Sequence, residues 1–226
     1  MDLTRIALAQ INPTVGDLSG NVKKIKEFTR QARDLRCDMI MFPELAICGY
    51  PPEDLLYKES FLEDCRLAVD EVAQINKGIL TILGAPWRSI WSRQSKFYHN
   101  GRDLFNAALV IDEGSVKETY FKTEIPNYGV FDEKRWFSTP NRPECLVITM
   151  NGLRFFLAIC EDIWIPDSPI RSLAGINNVD VTLCLSASPY HAGRITDVRM
   201  KVLREWCVTS DSTLLYLNLV GGQRSE

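Results

Sequence analysis

Glu44, Lys122 and Cys160 are residue types that together can perform acyl transfer without a histidine. Each stands at the end of a short apolar run: Glu44 in MFPELAICGYPPEDLL, Lys122 in TYFKTEIPNYGVFDEKRWF and Cys160 in FFLAICEDIWIP. A free thiol of pKa ~8.5 is only a few per cent thiolate at neutral pH, so a nucleophilic cysteine needs a base or a cation beside it. Glu44 would supply the base. The Lys122 ammonium would hold an oxyanion, an effect worth about 3 to 4 kcal/mol when one such donor is removed. Taken singly, each residue has a plainer reading. A Glu after Pro43 fits a solvated turn, a Lys at a strand end fits a gatekeeper, and Cys160 fits a small buried hydrophobe. Glu161-Asp162 would equally cap a following turn.

Whether the three meet depends on the elements that carry them, because strand ends line the ligand crevice of α/β folds. Residues 4–12 read as a strand stopped by Pro13 and Gly16. Val22, Ile25, Phe28, Ala32 and Leu35 step at helical spacing over 21–35, and Phe61, Cys65, Ala68 or Val69, Val72 and Ile75 do so over 61–75. Short apolar runs at 39–42 and 79–83 read as buried strands. Strands at 106–112, 116–122, 145–150 and 154–160 are joined in pairs by Glu113-Gly114 and Asn151-Gly152, dipeptides of tight hairpins. A strand at 179–185, a helix at 198–208 and a strand at 214–219 complete the chain. Strand–helix alternation around central hairpins predicts a mixed sheet system with helices outside, an α/β layered fold in one domain over residues 1–226.

Composition narrows the function classes. The 226 residues are 46% hydrophobic and 24% charged, as in soluble globular domains. Twenty-six Lys+Arg against 29 Asp+Glu give a net charge of −3, which argues against nucleic acid as a partner. One local exception interleaves Trp87, Trp91, Phe97 and Tyr98 with Arg88, Arg93, Lys96 and Arg102, a pattern that fits base stacking but fits an exposed loop better. Seven cysteines without a C-x-x-C pair, and two histidines, leave no common zinc pattern and no disulfide framework. Reduced thiols, a start carrying Asp2 and the absence of an apolar run near ~18 residues point to a cytoplasmic protein with no membrane partner.

FPELAICGYPPEDLL, YFKTEIPNYGVFDEKRWF and CEDIW resemble, in order and spacing, the three motifs of the nitrilase, or carbon-nitrogen hydrolase, superfamily. Within it, residues 49–56 (GYPPEDLL), 126–133 (PNYGVFDE) and 186–191 (SASPYH) resemble the glutaminase domains of glutamine-dependent NAD synthetases. The resemblance spans residues 5–223. It implies a nitrilase-like αββα four-layer sandwich and a catalytic set of Glu44, Lys122 and Cys160. It also implies that Glu133 helps place Lys122 and the substrate, and that Tyr50, Tyr128, Glu161, Trp164 and one serine of Ser186-Ala187-Ser188, preferably Ser188, line the pocket. His191 would border that pocket, while Cys48 would belong to its wall without a catalytic part.

The implied reaction hydrolyses the L-glutamine side-chain amide through a Cys160 thioester, with Lys122 and the Glu161 N–H on the oxyanion. It needs no cofactor and no metal. ATP and Mg would belong to a synthetase domain that uses the ammonia, whose Ser-Gly-Gly-x-Asp-Ser loop does not occur here. The resemblance further implies a homo-oligomer and a partnership with a separate synthetase domain or chain. Gly221-Gly222-Gln223 is followed by Arg224-Ser225-Glu226 where the family continues for tens of residues, so a C-terminally incomplete domain with open strand edges is expected. A stand-alone amidase acting on another small carboxamide, and an inactive remnant, are the alternatives.

Overall fold

Two sheets organise the chain. The computed structural model describes residues 3–91, 103–190 and 198–222. The first sheet has the order β1 (Ile6–Leu8), β2 (Met39–Met41), β3 (Leu80–Arg88), β4 (Leu104–Asp112), β5 (Ser115–Phe121). The second has the order β6 (Val147–Met150), β7 (Leu153–Ile159), β8 (Val181–Ser186), β9 (Thr213–Asn218). β1, β2 and β3 run parallel, whereas β4 is antiparallel to both β3 and β5. β7, β8 and β9 are parallel, and β6 forms a hairpin with β7.

Alternation along the strands sorts side chains into three apolar layers. Met39, Met41, Ile82, Val110 and Tyr120 of the first sheet meet Phe155, Leu157, Ile159, Leu183 and Leu217 of the second. The opposite face of the first sheet, with Ile40, Leu83, Leu109 and Phe121, packs on α1 (Leu18–Asp34) and α2 (Glu59–Ile75) through Ile25, Leu62, Val69 and Val72. Phe156, Ala158 and Cys184 on the second sheet pack on Ile170 and Ala174 of α4 (Pro169–Ile176) and on Trp206 of α5 (Met200–Ser210). A short α3 (Glu133–Trp136) lies between the hairpins. The layers are therefore α, β, β, α, as expected.

Three differences from the sequence expectation have physical causes. The first strand is confined to Ile6–Leu8, because its partner β2 offers only Met39–Met41. β3 continues past Gly84 and Pro86 to Arg88: beyond Ile82 it pairs with β4 alone, so the missing Pro86 N–H costs no ladder bond to β2. α4 is a further helix, started by Ser168, whose hydroxyl accepts from the Ile170 N–H, with Pro169 in its first turn.

The aromatic-cationic stretch also resolves in part. Trp87 is buried in β3, and Arg88 forms ion pairs with Glu59 at 2.6 Å and Asp103 at 2.7 Å. Neither is presented for base stacking. Arg93, Lys96, Phe97, Tyr98, His99 and Arg102 lie outside the described residues, as does His191.

Gly84 shows how closely the first sheet approaches the turn that carries Glu44. A Cβ there would be driven into the Pro43 carbonyl oxygen and the Leu45 nitrogen. Gly84→Ala should therefore destabilise the fold by about 1 to 3 kcal/mol, the usual cost of overpacking. Urea denaturation checks this, and an unchanged midpoint would mean that the turn is free to move.

Candidate active site

Strand direction brings the reactive residues to one place. β2, β3 and β5 share a direction, so Glu44, just beyond β2, and Lys122, just beyond β5, lie at the same end of the first sheet. Asn106, near the start of antiparallel β4, reaches that end as well, and the Lys122 N–H donates to its carbonyl at 2.9 Å. In the second sheet, Cys160 follows β7 and Ala187 follows β8. The Ala187 N–H donates to Glu44 Oε2 at 2.8 Å and joins the two sheets.

Lys122 is the centre of the cluster. Its fully buried Nζ donates to Glu44 Oε1 at 2.7 Å and to Glu133 Oε1 and Oε2, each at 2.9 Å. Asn106 Nδ2 donates to Glu44 Oε1 at 2.7 Å and to Glu133 Oε2 at 3.4 Å. Tyr50 donates its hydroxyl to Glu133 Oε1 at 2.8 Å. Burial opposes the charge on Lys122, but the Glu133 and Glu44 carboxylates outweigh it and hold the ammonium well above its ordinary pKa.

Counting acceptor sites separates the two glutamates. A carboxylate oxygen accepts about two hydrogen bonds. Both oxygens of Glu133 already receive two donors, from Lys122 with Tyr50 and from Lys122 with Asn106. Among the described residues, Glu44 Oε1 is filled likewise by Lys122 and Asn106, while Oε2 receives only the Ala187 N–H and keeps room for a proton. Burial pushes the Glu44 carboxyl up, Lys122 pulls it back, and Glu133 pushes it up again; the net direction is upward. Glu44 Oε2 thus has the properties of a general base, and Glu133 those of a fixed counter-ion.

Cys160 opens a 3₁₀ turn, Cys160–Ile163, immediately after β7, with φ of 42°. That left-handed backbone is costly for a residue with a Cβ and recurs where side chains are aimed for chemistry. Asp162 secures the turn. Its Oδ2 accepts from the Ile159 N–H and the Tyr120 hydroxyl, both at 2.8 Å, and its Oδ1 accepts from the N–H groups of Thr123 and Glu124 at 3.0 and 2.8 Å. Burial pushes its pKa up to about 6 despite these donors. The turn bearing Cys160 is thereby tied to the chain just past Lys122. Burial and the Glu44 charge raise the Cys160 thiol, while Lys122 and a hydrogen bond from Ser186 lower it; the net direction is upward.

A cavity of about 980 Å³ opens beside this cluster, with Tyr50, Ala187 and Ser188 in its wall. Of the other pocket residues expected from sequence, Tyr128 donates its hydroxyl to the Glu161 carboxylate at 2.8 and 3.0 Å. Trp164 packs against the outer apolar layer of the second sheet. The serine beside Cys160 is Ser186, whose hydroxyl donates to Cys160 Sγ at 3.3 Å; Ser188 accepts from Arg199 at 3.2 Å. Cys48 is buried with its thiol against the Leu45 and Gly49 carbonyls. Among the described residues no group of three His, Cys, Asp or Glu side chains is arranged to hold a metal ion.

Sequence reading did not single out Asn106, Asp162 as a tie, or the contact of Ser186 with sulfur. For Asn106 a signal existed. It is the one amide inside the apolar run LFNAALVID, and a polar residue buried at such a place is informative.

The carbon-nitrogen hydrolase family matches residues 5–202. The glutamine-dependent NAD(+) synthetase of Thermotoga maritima is 39% identical over 225 residues, covering 99% of this chain and 36% of that protein. The same-named protein of Xanthomonas campestris is 37% identical, covering 97% of this chain and 37% of its own length. The chain thus spans little more than a third of these relatives. The structure of glutamine-dependent NAD+ synthetase from Acinetobacter baumannii superposes with a TM-score of 0.84 at 34% identity, covering 96% of this chain and 38% of that one. An amidase from Nesterenkonia sp. shares the fold at a TM-score of 0.76 and 22% identity, covering 97% and 77% of the respective chains.

If Lys122 is the ion that lets two carboxylates share this site, Lys122→Met should lower stability at neutral pH by about 3 to 5 kcal/mol, the cost of stranding a buried charge. Without the ammonium that holds it down, the Glu44 carboxyl, raised by burial and by Glu133, takes up a proton more readily in the folded than in the unfolded chain. Stability should then recover as pH falls towards the ordinary carboxylate range. Urea unfolding at several pH values measures both effects, and a deficit that is the same at every pH would contradict the assignment of charge.

Proposed function

The chain belongs to the carbon-nitrogen hydrolase family, and from that premise we propose that it hydrolyses the side-chain amide of L-glutamine to glutamate and ammonia through a Cys160 thioester. The observation that carries the proposal is the buried contact of Glu44, Lys122 and Glu133 beside Cys160, in a chain 39% identical across nearly its whole length to a glutamine-dependent NAD(+) synthetase.

Glu44 Oε2 takes the thiol proton as Cys160 Sγ attacks the carboxamide carbon. The oxyanion is met by the Glu161 N–H and by Lys122. All three hydrogens of Lys122 are engaged in the resting site, so it must release one contact to Glu133 to serve the oxyanion. Glu133 keeps its other contacts and holds the ammonium in range. The proton on Glu44 passes to the leaving nitrogen, which departs as ammonia. Water, deprotonated by Glu44, then cleaves the thioester, and the proton returns to sulfur as glutamate leaves. No cofactor is required for these steps.

Substrate recognition is assigned to Tyr50 and Ser188 on the cavity wall, with Tyr128 and Glu161 along the approach and Glu133 behind Lys122; Trp164, expected from sequence to line the pocket, packs on the outer layer of the second sheet instead. The acidic Glu161 suits the α-ammonium of an amino-acid amide. The ammonia would serve a synthetase domain of the kind named in the relatives, and that domain would hold any ATP and Mg. Seven free cysteines suit a cytoplasmic setting.

Purified protein should release ammonia and glutamate from L-glutamine in equal amounts. Cys160→Ala should abolish release, and Glu44→Gln should reduce it by about 10² to 10⁴-fold, the usual worth of a general base. Faster turnover of asparagine or a short aliphatic amide would replace glutamine by another carboxamide. Folded protein with neither turnover nor an acyl adduct on Cys160 would refute the hydrolase reading of this chain. Asn106→Ala removes a donor to the Glu44 carboxylate, so its pKa should rise and the acid limb of the pH–rate profile should move to higher pH. An acid limb that stays in place would show that Asn106 does not act on Glu44.

A further inference from the structure

β8 ends at Ser186, a fully buried residue whose hydroxyl donates to Cys160 Sγ at 3.3 Å. Ser186 Oγ also lies 2.7 Å from the hydroxyl of Tyr216 on β9. A serine hydroxyl carries a single hydrogen. While Ser186 gives that hydrogen to sulfur, Tyr216 must be the donor in the second contact. The chain of bonds therefore has one direction, from Tyr216 through Ser186 to Cys160. Arg199 lies with its guanidinium carbon 5.7 Å from the centroid of the Tyr216 ring, held there by its Nη2 bonds to the Ser188 and Pro189 carbonyls, each at 3.3 Å. A cation over the ring draws electron density from the phenol and strengthens it as a donor.

We propose that Ser186 is a further catalytic residue, donating to the Cys160 sulfur as it becomes the thiolate, and that Tyr216 is the positioning residue that fixes the direction of that bond. The inference rests on the reading of Cys160 as the nucleophile. It accounts for a need that the catalytic set leaves open. Lys122 has its hydrogens on Glu44 and Glu133, so it acts on the sulfur as a charge at a distance. The groups that face Cys160 are Glu44 and Glu133, which oppose a thiolate; Lys122, which favours it; and the neutral Tyr50, Cys184 and Tyr216. Against two carboxylates, a direct hydrogen-bond donor on sulfur matters.

The interaction is also selective for the right species. A thiol or thioester sulfur is a weak acceptor, whereas a thiolate is a strong one, so the bond tightens while sulfur carries charge and relaxes once the acyl group is attached. Ser186 keeps its proton throughout. The thiol proton goes to Glu44 Oε2, and the electron pair on sulfur forms the bond to the carboxamide carbon.

The test is the pH dependence of Cys160 alkylation by iodoacetamide, followed by mass spectrometry of the peptide that contains it. Ser186→Ala should move the midpoint up by about one pH unit, equivalent to roughly tenfold slower alkylation near neutral pH, for loss of one donor to a charged group. Tyr216→Phe should move it the same way by less, and Ser186→Thr, which keeps the hydroxyl, should restore the wild-type curve. An unshifted Ser186→Ala midpoint, or a Ser186→Thr protein as slow as Ser186→Ala, would overturn the relay while leaving Cys160 as the nucleophile. If wild-type Cys160 resists alkylation across the range while the half-exposed Cys145 and Cys207 react, the nucleophile itself is refuted, and the relay with it. Should Ser186→Ala fail to fold, Tyr216→Phe decides, because it leaves Ser186 in place: a shifted midpoint supports the relay, and an unshifted one overturns it.

Discussion

A single buried ammonium lets two carboxylates and a thiol share a site almost without exposure to solvent. Taking an ion out of water costs several kcal/mol even after relaxation, and the cost is offset only when every proton and lone pair of the group is engaged. Lys122 meets that condition with three donated bonds to two carboxylates. Much of the surrounding architecture serves it. The β4–β5 hairpin delivers Lys122, the turn seated on Gly84 delivers Glu44, and α3 delivers Glu133 with Tyr50 bonded to it. Asn106 adds a neutral bridge between the carboxylates, which keeps them separated without adding a second cation.

Within that frame, two residues of the same type acquire different chemistry from the occupancy of their oxygens alone. Glu133 has no acceptor site left, whereas Glu44 has one, on the oxygen that accepts the Ala187 N–H across the gap between the sheets. Proton transfer from Cys160 to Glu44 moves a negative charge from oxygen to sulfur without changing the net charge of the cluster. In a low-dielectric site this matters more than either group's own acidity, because creating a new charge would cost far more than relocating one. Burial is the largest cause of the upward shift in both the Glu44 carboxyl and the Cys160 thiol, so both depart from their values in water in the same direction.

Residue types at strand ends made Glu44, Lys122 and Cys160 visible in the sequence, and hydrophobic alternation made the layers visible. Less was legible where identity depends on a partner far along the chain. Asn106 is the first residue of an expected strand, and its bonds to Glu44 and Glu133 span 62 and 27 residues. Ser186 and Ser188 differ by two positions, and spacing alone does not say which meets the sulfur; the parallel register of β7 with β8, Ile159 opposite Leu185, brings Ser186 beside Cys160. α4 is weakly marked in the sequence although Ser168 and Pro169 stand at its start, because eight residues give too few turns for a convincing period. In the sequence β3 ends before Gly84 and Pro86, two residues that read as breakers until the end of β2 at Met41 removes the need for the Pro86 N–H.

The middle of the sandwich and its catalytic end are held together by different forces. Between the sheets, Met39, Met41, Ile82, Phe155 and Leu157 form a dry apolar layer that is close-packed and resists deformation. At the catalytic end the sheets are joined by polar ties: Ala187 to Glu44, and the Tyr120 hydroxyl with the Thr123 and Glu124 N–H groups to Asp162. A hydrogen bond is directional and can be exchanged for another of equal strength, whereas an apolar layer cannot be opened without losing contact area. Lys122 can therefore exchange one Glu133 oxygen for another acceptor, and the strained turn at Cys160 can shift, while the layer beneath keeps its packing. Stability and reactivity are thus drawn from separate parts of one sandwich, and Asp162 is the point where the strand end of Lys122 and the turn of Cys160 are fastened to each other.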